Sequence, residues 1–370
     1  TDLLSPWNQK KISKVECIRK SDAKKILKVA NDFFVNENLH ISKKQRIDIL
    51  KKTIKLLTKN SKKFSDLIAL EGGKPLKDSK VEVARAINGL ELCIDALKKC
   101  HGTEIPMSLN EASSDKMAYT KKYPVGPVFA ISAFNHPLNL IVHQVGPAIA
   151  SGCPIIIKPA LDTPATCYEF INLLIESGLP AGFCQMINTD DHSITEIFIK
   201  DDIIAFFSFI GSSKVGWKLK SKLSAGTKCA LEHGGIASVI IDKDTNIKKV
   251  MPSIIRGAFY DAGQVCVSIQ KVIVHEEIVD EFLNLMSQSI KKLKVGDPSK
   301  NTTDVGPLIR PGELERIHKL IQKSIKNGAE LVCGGKAKSK TTYECTVIKN
   351  PKPNDEINKV EIFGPVLCVY

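Results

Sequence analysis

Residues Pro127–Lys158 read PVFAISAFNHPLNLIVHQVGPAIASGCPIIIK. Two short apolar runs, Pro127–Ser132 and Pro154–Lys158, bracket a longer segment whose His143–Ala150 portion reads as a helix. Short apolar runs without polar alternation indicate strands buried on both faces, as in a parallel sheet covered by helices. The same unit repeats outward. Pro164–Ser177 reads as the next helix, ended by Gly178. Cys184–Asn188 and Ile203–Phe209 read as further strands, the second passing through Gly211 and Ser212 into another helix. Such alternation predicts an α/β fold with a doubly wound parallel sheet, whose ligands bind at the carboxyl ends of the strands.

A second α/β unit begins near Glu232. Its expected strands are Ser238–Ile241, Gln270–Val274, Glu330–Cys333 and Tyr343–Ile348, with helices over Glu276–Leu293 and Pro311–Lys326. The first hundred residues read as mostly helical. Ser42 precedes one long helix over Lys43–Leu70, Val81–Lys98 repeats the pattern, and Met117–Tyr123 reads as a short exposed strand. Pro365–Tyr370 reads as a last strand. A chain that stops on it is expected to leave an unpaired strand edge and an incomplete core, as in a fragment of a longer product.

A length of 370 residues, 43% hydrophobic and 25% charged, suits a globular protein of two domains. No stretch approaches the roughly 18 apolar residues of a membrane span, and no signal peptide is evident, so a soluble, cytoplasmic protein is expected. The net charge of +13 comes mostly from scattered Lys with few aromatics, which argues against nucleic acid as a partner. Eleven Cys form no CxxC pair and the eight His show no metal-ligand spacing, so neither a disulfide framework nor a metal site is expected.

Chemistry concentrates in a few motifs. Phe259–Cys266, FYDAGQVC, sets a Cys after a Gly-Gln pair at a helix-to-loop junction. Leu231–Gly235, LEHGG, sets a carboxylate at a strand end beside two glycines. Taken alone, Cys266 reads as a buried structural thiol and Glu232 as a terminal charge. Four further motifs stand beside them: Ala133–Leu138 (AFNHPL), Gly152–Ala160 (GCPIIIKPA), Ser208–Gly216 (SFIGSSKVG) and Glu361–Val366 (EIFGPV). In this order and spacing the motifs resemble those of the aldehyde dehydrogenase superfamily from Val125 to Val366.

The resemblance implies an NAD(P)-binding, Rossmann-type domain over 1–231, with 113–123 in a small oligomerisation strand, and a catalytic domain over 232–370 that is incomplete at its C-terminus. It implies Cys266 as the nucleophile toward an aldehyde and Asn135 as an oxyanion donor, an interaction worth about 3 kcal/mol. Glu232 would be the base that activates water on the resulting thioester. It further implies cofactor contacts at Phe134, Lys158, Ala160, Leu161, Gly211, Ser212, Val215, His233, Gly234, Glu361 and Phe363. Lys158 would reach ribose hydroxyls, the helix after Gly211 would face the pyrophosphate, and Glu361 would hold the second ribose. A homodimer or homotetramer is expected.

Several positions depart from the family pattern. Leu161 stands where NAD-preferring members often carry Glu, and Lys214 adds positive charge, so either NAD or NADP is expected. Phe134 replaces a frequent Trp, and Asp261 a common Asn. Val265 and Val267 suggest an apolar wall beside the nucleophile, and no Arg occupies a motif position suited to clamp a carboxylate. Two alternatives stay open: a CoA-acylating relative, which Glu232 argues against, and a catalytically silent protein of the same fold.

Overall fold

A computed structural model describes all 370 residues. A two-stranded ribbon, β1 (Asp2–Leu4) against β2 (Lys11–Lys14), leads into four helices: α1 (Lys20–Val35), α2 (Lys43–Lys59), α3 (Ser61–Gly72) and α4 (Leu76–Lys99). Ser42 starts α2 through a capping box with Gln45. The single helix expected over Lys43–Leu70 is two helices. Asn60 interrupts it, because its side-chain amide donates to the Leu56 carbonyl at 2.8 Å and competes with the helical ladder. A small hairpin follows, β3 (Glu104–Ile105) antiparallel to β4 (Ala118–Tyr119).

Five strands then build a parallel sheet: β5 (Val128–Ile131), β6 (Ile155–Lys158), β7 (Cys184–Met186), β8 (Phe206–Ile210) and β9 (Lys228–Glu232). They are connected by α5 (Asn139–Ser151), α6 (Pro164–Glu176), α7 (His192–Lys200) and α8 (Ser213–Lys220). Alternate residues feed two separate cores. Val128, Ala130, Ile155 and Ile157 pack with α2 to α6, while Phe129, Ile156 and Phe207 pack with α1 and α7. This burial on both faces accounts for the unbroken apolar runs. The order β7-β6-β5-β8-β9 reverses direction at β5, so a crevice opens between the carboxyl ends of β5 and β8. Gln144 on α5 ties the two strands together, its amide donating to the Ile131 carbonyl at 3.1 Å and to Ser208 Oγ at 3.0 Å.

The second sheet contains β10 (Ala237–Ile241), β11 (Ile269–Val274), β12 (Glu330–Cys333), β13 (Thr346–Lys349) and β14 (Val366–Val369), in the order β10-β11-β14-β13-β12. Helices α9 (Ile247–Phe259), α10 (Val279–Ile290) and α11 (Pro311–Lys326) pack on it. All pairs are parallel except β12 with β13. The unpaired edge expected at the last strand is not found. β14 lies in the middle of its sheet, hydrogen-bonded to β11 on one side and β13 on the other, and all four of its residues are buried. No helix of the chain is long and apolar enough to cross a membrane.

Candidate active site

The crevice at β5 and β8 faces the second sheet across a cavity of about 490 Å³, within the roughly 300–1,000 Å³ usual for small-molecule sites. Asn135, Glu232 and Cys266 all line it, as do Phe134, Ala160, Gly211, Ser212, Val215, Gly234, Glu361 and Phe363. Three sequence-selected positions do not. Lys158 is half-buried at the end of β6, Leu161 lies outside the lining, and His233 packs between Phe209 and Trp217, with ring centroids 6.3 and 5.5 Å away. Both ring nitrogens of His233 are buried without a partner.

The Cys266 loop is built by an abrupt end to α9. Asp261, Ala262 and Gly263 take left-handed φ values of 49°, 56° and 72° in succession. A β-carbon at Gly263 would collide with the Gly364 carbonyl, so the turn requires glycine there. Gln264 then anchors the loop. Its side-chain oxygen accepts from the Ile309 N–H at 2.9 Å, and its amide donates to the carbonyls of Asp261 at 3.2 Å and Pro307 at 3.3 Å. The Asn135 amide donates to the Gln264 backbone carbonyl at 2.8 Å, which brings the β5 loop directly onto the cysteine loop.

Charge at the thiol is set by two effects. Burial raises the Cys266 pKa, and the Glu232 carboxylate raises it further. Burial likewise raises the pKa of Glu361, whose carboxylate accepts from the Gly235 N–H at 3.3 Å. A side chain at Gly234 would occupy the place of that carboxylate, so the glycine permits the close approach. Phe363, itself at φ 52°, meets Phe134 edge-on with centroids 5.8 Å apart, forming an aromatic wall. The expected apolar pair beside the nucleophile divides: Val265 is buried, whereas Val267 is 72% exposed, because the chain turns outward after Cys266.

Sequence reasoning missed four charged lining residues. Asp162, Arg310, Glu313 and Arg316 all face the cavity. Arg310 pairs with Asp162 at 3.1 Å, and Arg316 pairs with Glu313 and donates to the Ile362 carbonyl at 2.6 Å. Asp162 places a carboxylate one position after Leu161, already paired with Arg310. Nothing local in the sequence marks Asp162 beyond its place next to Leu161.

The residues fit a dinucleotide. No side chain caps the start of α8, whose first N–H groups are left for an anionic group. The Glu361 carboxylate lies across the cavity as an acceptor for hydroxyls.

The sequence model of the Aldehyde dehydrogenase family matches residues 1–370. The chain belongs to this family. It is 33% identical over 368 residues to a 3-sulfolactaldehyde dehydrogenase of Priestia aryabhattai, covering all of this chain and 76% of that protein. It is 34% identical over 372 residues to a lactaldehyde dehydrogenase of Methanococcus aeolicus, covering 100% and 78%. Among solved structures, glyceraldehyde-3-phosphate dehydrogenase GapN of Methanocaldococcus jannaschii, complexed with NADP, superposes with a TM-score of 0.93 at 31% identity, covering 100% and 79%. The fold and the order of the motifs in this chain are those of an aldehyde dehydrogenase.

Proposed function

We propose that the chain oxidises a short 2-hydroxyaldehyde to its carboxylic acid with NAD or NADP, through a thioester on Cys266. The observation that carries this reading is the convergence of Cys266, Glu232 and Asn135 on the one cavity that also holds the α8 start and Glu361. The substrate class rests on the similarity to lactaldehyde and sulfolactaldehyde dehydrogenases.

The Cys266 thiol gives up its proton to solvent, its sulfur adds to the aldehyde carbon, and the Asn135 amide with the Cys266 N–H stabilises the oxygen anion that forms. When bound, the nicotinamide nucleotide supplies the hydride acceptor. The α8 start would hold its pyrophosphate and Glu361 a ribose, and Phe134 and Phe363 would wall its ring. Glu232 then takes a proton from water as the water attacks the thioester carbon, releasing the acid and restoring the thiol. A carboxylate beside the sulfur favours water as the acceptor over CoA.

In this reading 1–231 form the cofactor domain and 232–370 the catalytic one, and two copies associate through the β3–β4 hairpin. Eleven free thiols support a reducing, cytoplasmic setting.

The test uses lactaldehyde and related aldehydes with each cofactor. Cys266→Ala abolishes turnover while cofactor still binds. Glu232→Gln gives one equivalent of reduced cofactor per site and then slows at least a hundredfold. Unaltered steady-state turnover in either variant, or acyl-CoA formation by the wild type, overturns the reading.

A further inference from the structure

Below the cavity lies a group of ionisable side chains that the chemistry above does not use. Lys74, between α3 and α4, is 1% exposed. Its ammonium donates to the Glu82 carboxylate and, at 2.5 Å, to His136 Nδ1, and it lies 3.9 Å from the Asp261 carboxylate. Glu82, equally buried on α4, also accepts from the Leu138 and Asn139 N–H groups at 2.9 and 3.1 Å, which fixes the start of α5.

These contacts reach both halves of the oxyanion site. His136, Leu138 and Asn139 belong to the segment that begins with Asn135. Asp261 belongs to the left-handed turn that leads through Gln264 to Cys266. One ammonium therefore braces the loop carrying the amide donor against the loop carrying the backbone donor. We infer that Lys74, held by Glu82, is a positioning residue that sets the separation of the Asn135 amide and the Cys266 N–H. The inference rests on the reading of Cys266 and Asn135 given above.

Burial raises the Asp261 pKa well above its ordinary value, with the Lys74 ammonium opposing the shift. Burial alone would raise the Glu82 pKa, but the Lys74 ammonium and His136 bring it down to about 2. Burial opposes a charged Lys74, yet Glu82 and then Asp261 hold its pKa above the ordinary value. Burial, and then the neighbouring ammonium, lower the His136 pKa, against the Glu82 carboxylate. A buried pair of this kind persists only with its partners in place, which makes the spacing stiff. A displacement near 1 Å at a reacting centre costs about a hundredfold in rate.

The experiment separates reactions by whether an oxyanion forms. Aldehyde oxidation passes through one, whereas alkylation of Cys266 by iodoacetamide does not. In the double variant Lys74→Met with Glu82→Gln, which removes both charges together, the aldehyde-dependent burst of reduced cofactor slows about a hundredfold. Cofactor affinity and the alkylation rate stay within threefold of wild type. Lys74→Arg keeps the charge balance, and therefore the fold, but not the simultaneous reach to His136 and Asp261; its burst slows about tenfold. A wild-type burst rate in Lys74→Arg and in the double variant overturns the inference, as does a parallel fall in alkylation and cofactor binding, which marks a general loss of structure. Failure of the parent reading is distinct: the wild type itself then shows no burst.

Discussion

At the scale of the residue, Cys266 is a thiol held back from ionising. Burial first, and the Glu232 carboxylate second, raise its pKa above the ordinary thiol value of 9.0. Only the thiolate attacks, so below that pKa its reactivity rises about tenfold per pH unit. Iodoacetamide labelling of Cys266 in the cofactor-free protein, followed by mass spectrometry of its peptide, is expected to climb steeply from pH 7 to 9 without levelling. Glu232→Gln removes the like charge, and a like charge disfavours ionisation. The variant's titration therefore shifts to lower pH. A labelling rate flat between pH 7 and 9, or a titration unmoved in the variant, contradicts this account of the thiol. The same pair shows why the residues could be found in the chain but their state could not. The LEHGG and FYDAGQVC motifs mark both side chains, whereas their mutual electrostatics depend on two loops meeting across the sheets.

At the scale of the element, two helices of the parallel sheet are capped from outside by buried glutamates of the helical layer. Glu82 caps α5. Glu71, on α3, accepts from the Ala165 and Thr166 N–H groups of α6 at 2.8 and 2.9 Å. Burial raises the Glu71 pKa from 4.5 to about 7, against those hydrogen bonds. The unfolded chain therefore releases a proton between pH 4.5 and 7 that the folded chain keeps, and stability falls as pH rises through this window. The penalty is on the order of 3 kcal/mol at about 1.4 kcal/mol per pH unit. Glu71→Gln cannot ionise, so its Tm gains several degrees on wild type as pH rises from 4.5 to 7.5; a constant Tm difference across that range sinks the assignment. Neither cap was visible in the chain, because α3 and α6 are far apart in sequence and Glu71 looks like any helix charge. The strands were visible, since burial on two faces forces contiguous apolar runs such as Ile155–Ile157. The break at Asn60 was hidden by apolar spacing that continues across it. The central place of β14 was hidden because no local signal names its neighbours, which come from a hundred residues upstream and from the strand just before it.

At the scale of the molecule, the two sheets are tied together by the N-terminal layer. The Leu76 N–H donates to the Pro298 carbonyl at 2.8 Å, Lys77 pairs with Asp304, and Thr341 donates to the Pro6 carbonyl at 2.7 Å. The β3–β4 hairpin has no such support. Met117 is 84% exposed, and Leu109, Tyr119 and Tyr123 are exposed beside it. A two-stranded hairpin is marginal by itself, and an apolar cluster of this kind marks a contact surface. The second sheet also has an open edge, β10, with Ile240 76% exposed. In a two-fold pair, each hairpin can cover the β10 edge of the other copy, and the contact closes without leaving a free edge to propagate. Light scattering is expected to give twice the mass of a single chain. Met117→Lys with Tyr119→Lys on the hairpin shifts the protein to single chains, and Ile240→Lys at the opposite surface does the same. If both surfaces belong to one interface, mixing the two variants restores pairing in part, because the mixed pair keeps one hairpin–edge contact whole while either variant alone keeps neither. A wild-type chain that scatters as a monomer at tens of micromolar removes the pairing, and a dimer unaffected by Ile240→Lys moves it away from β10.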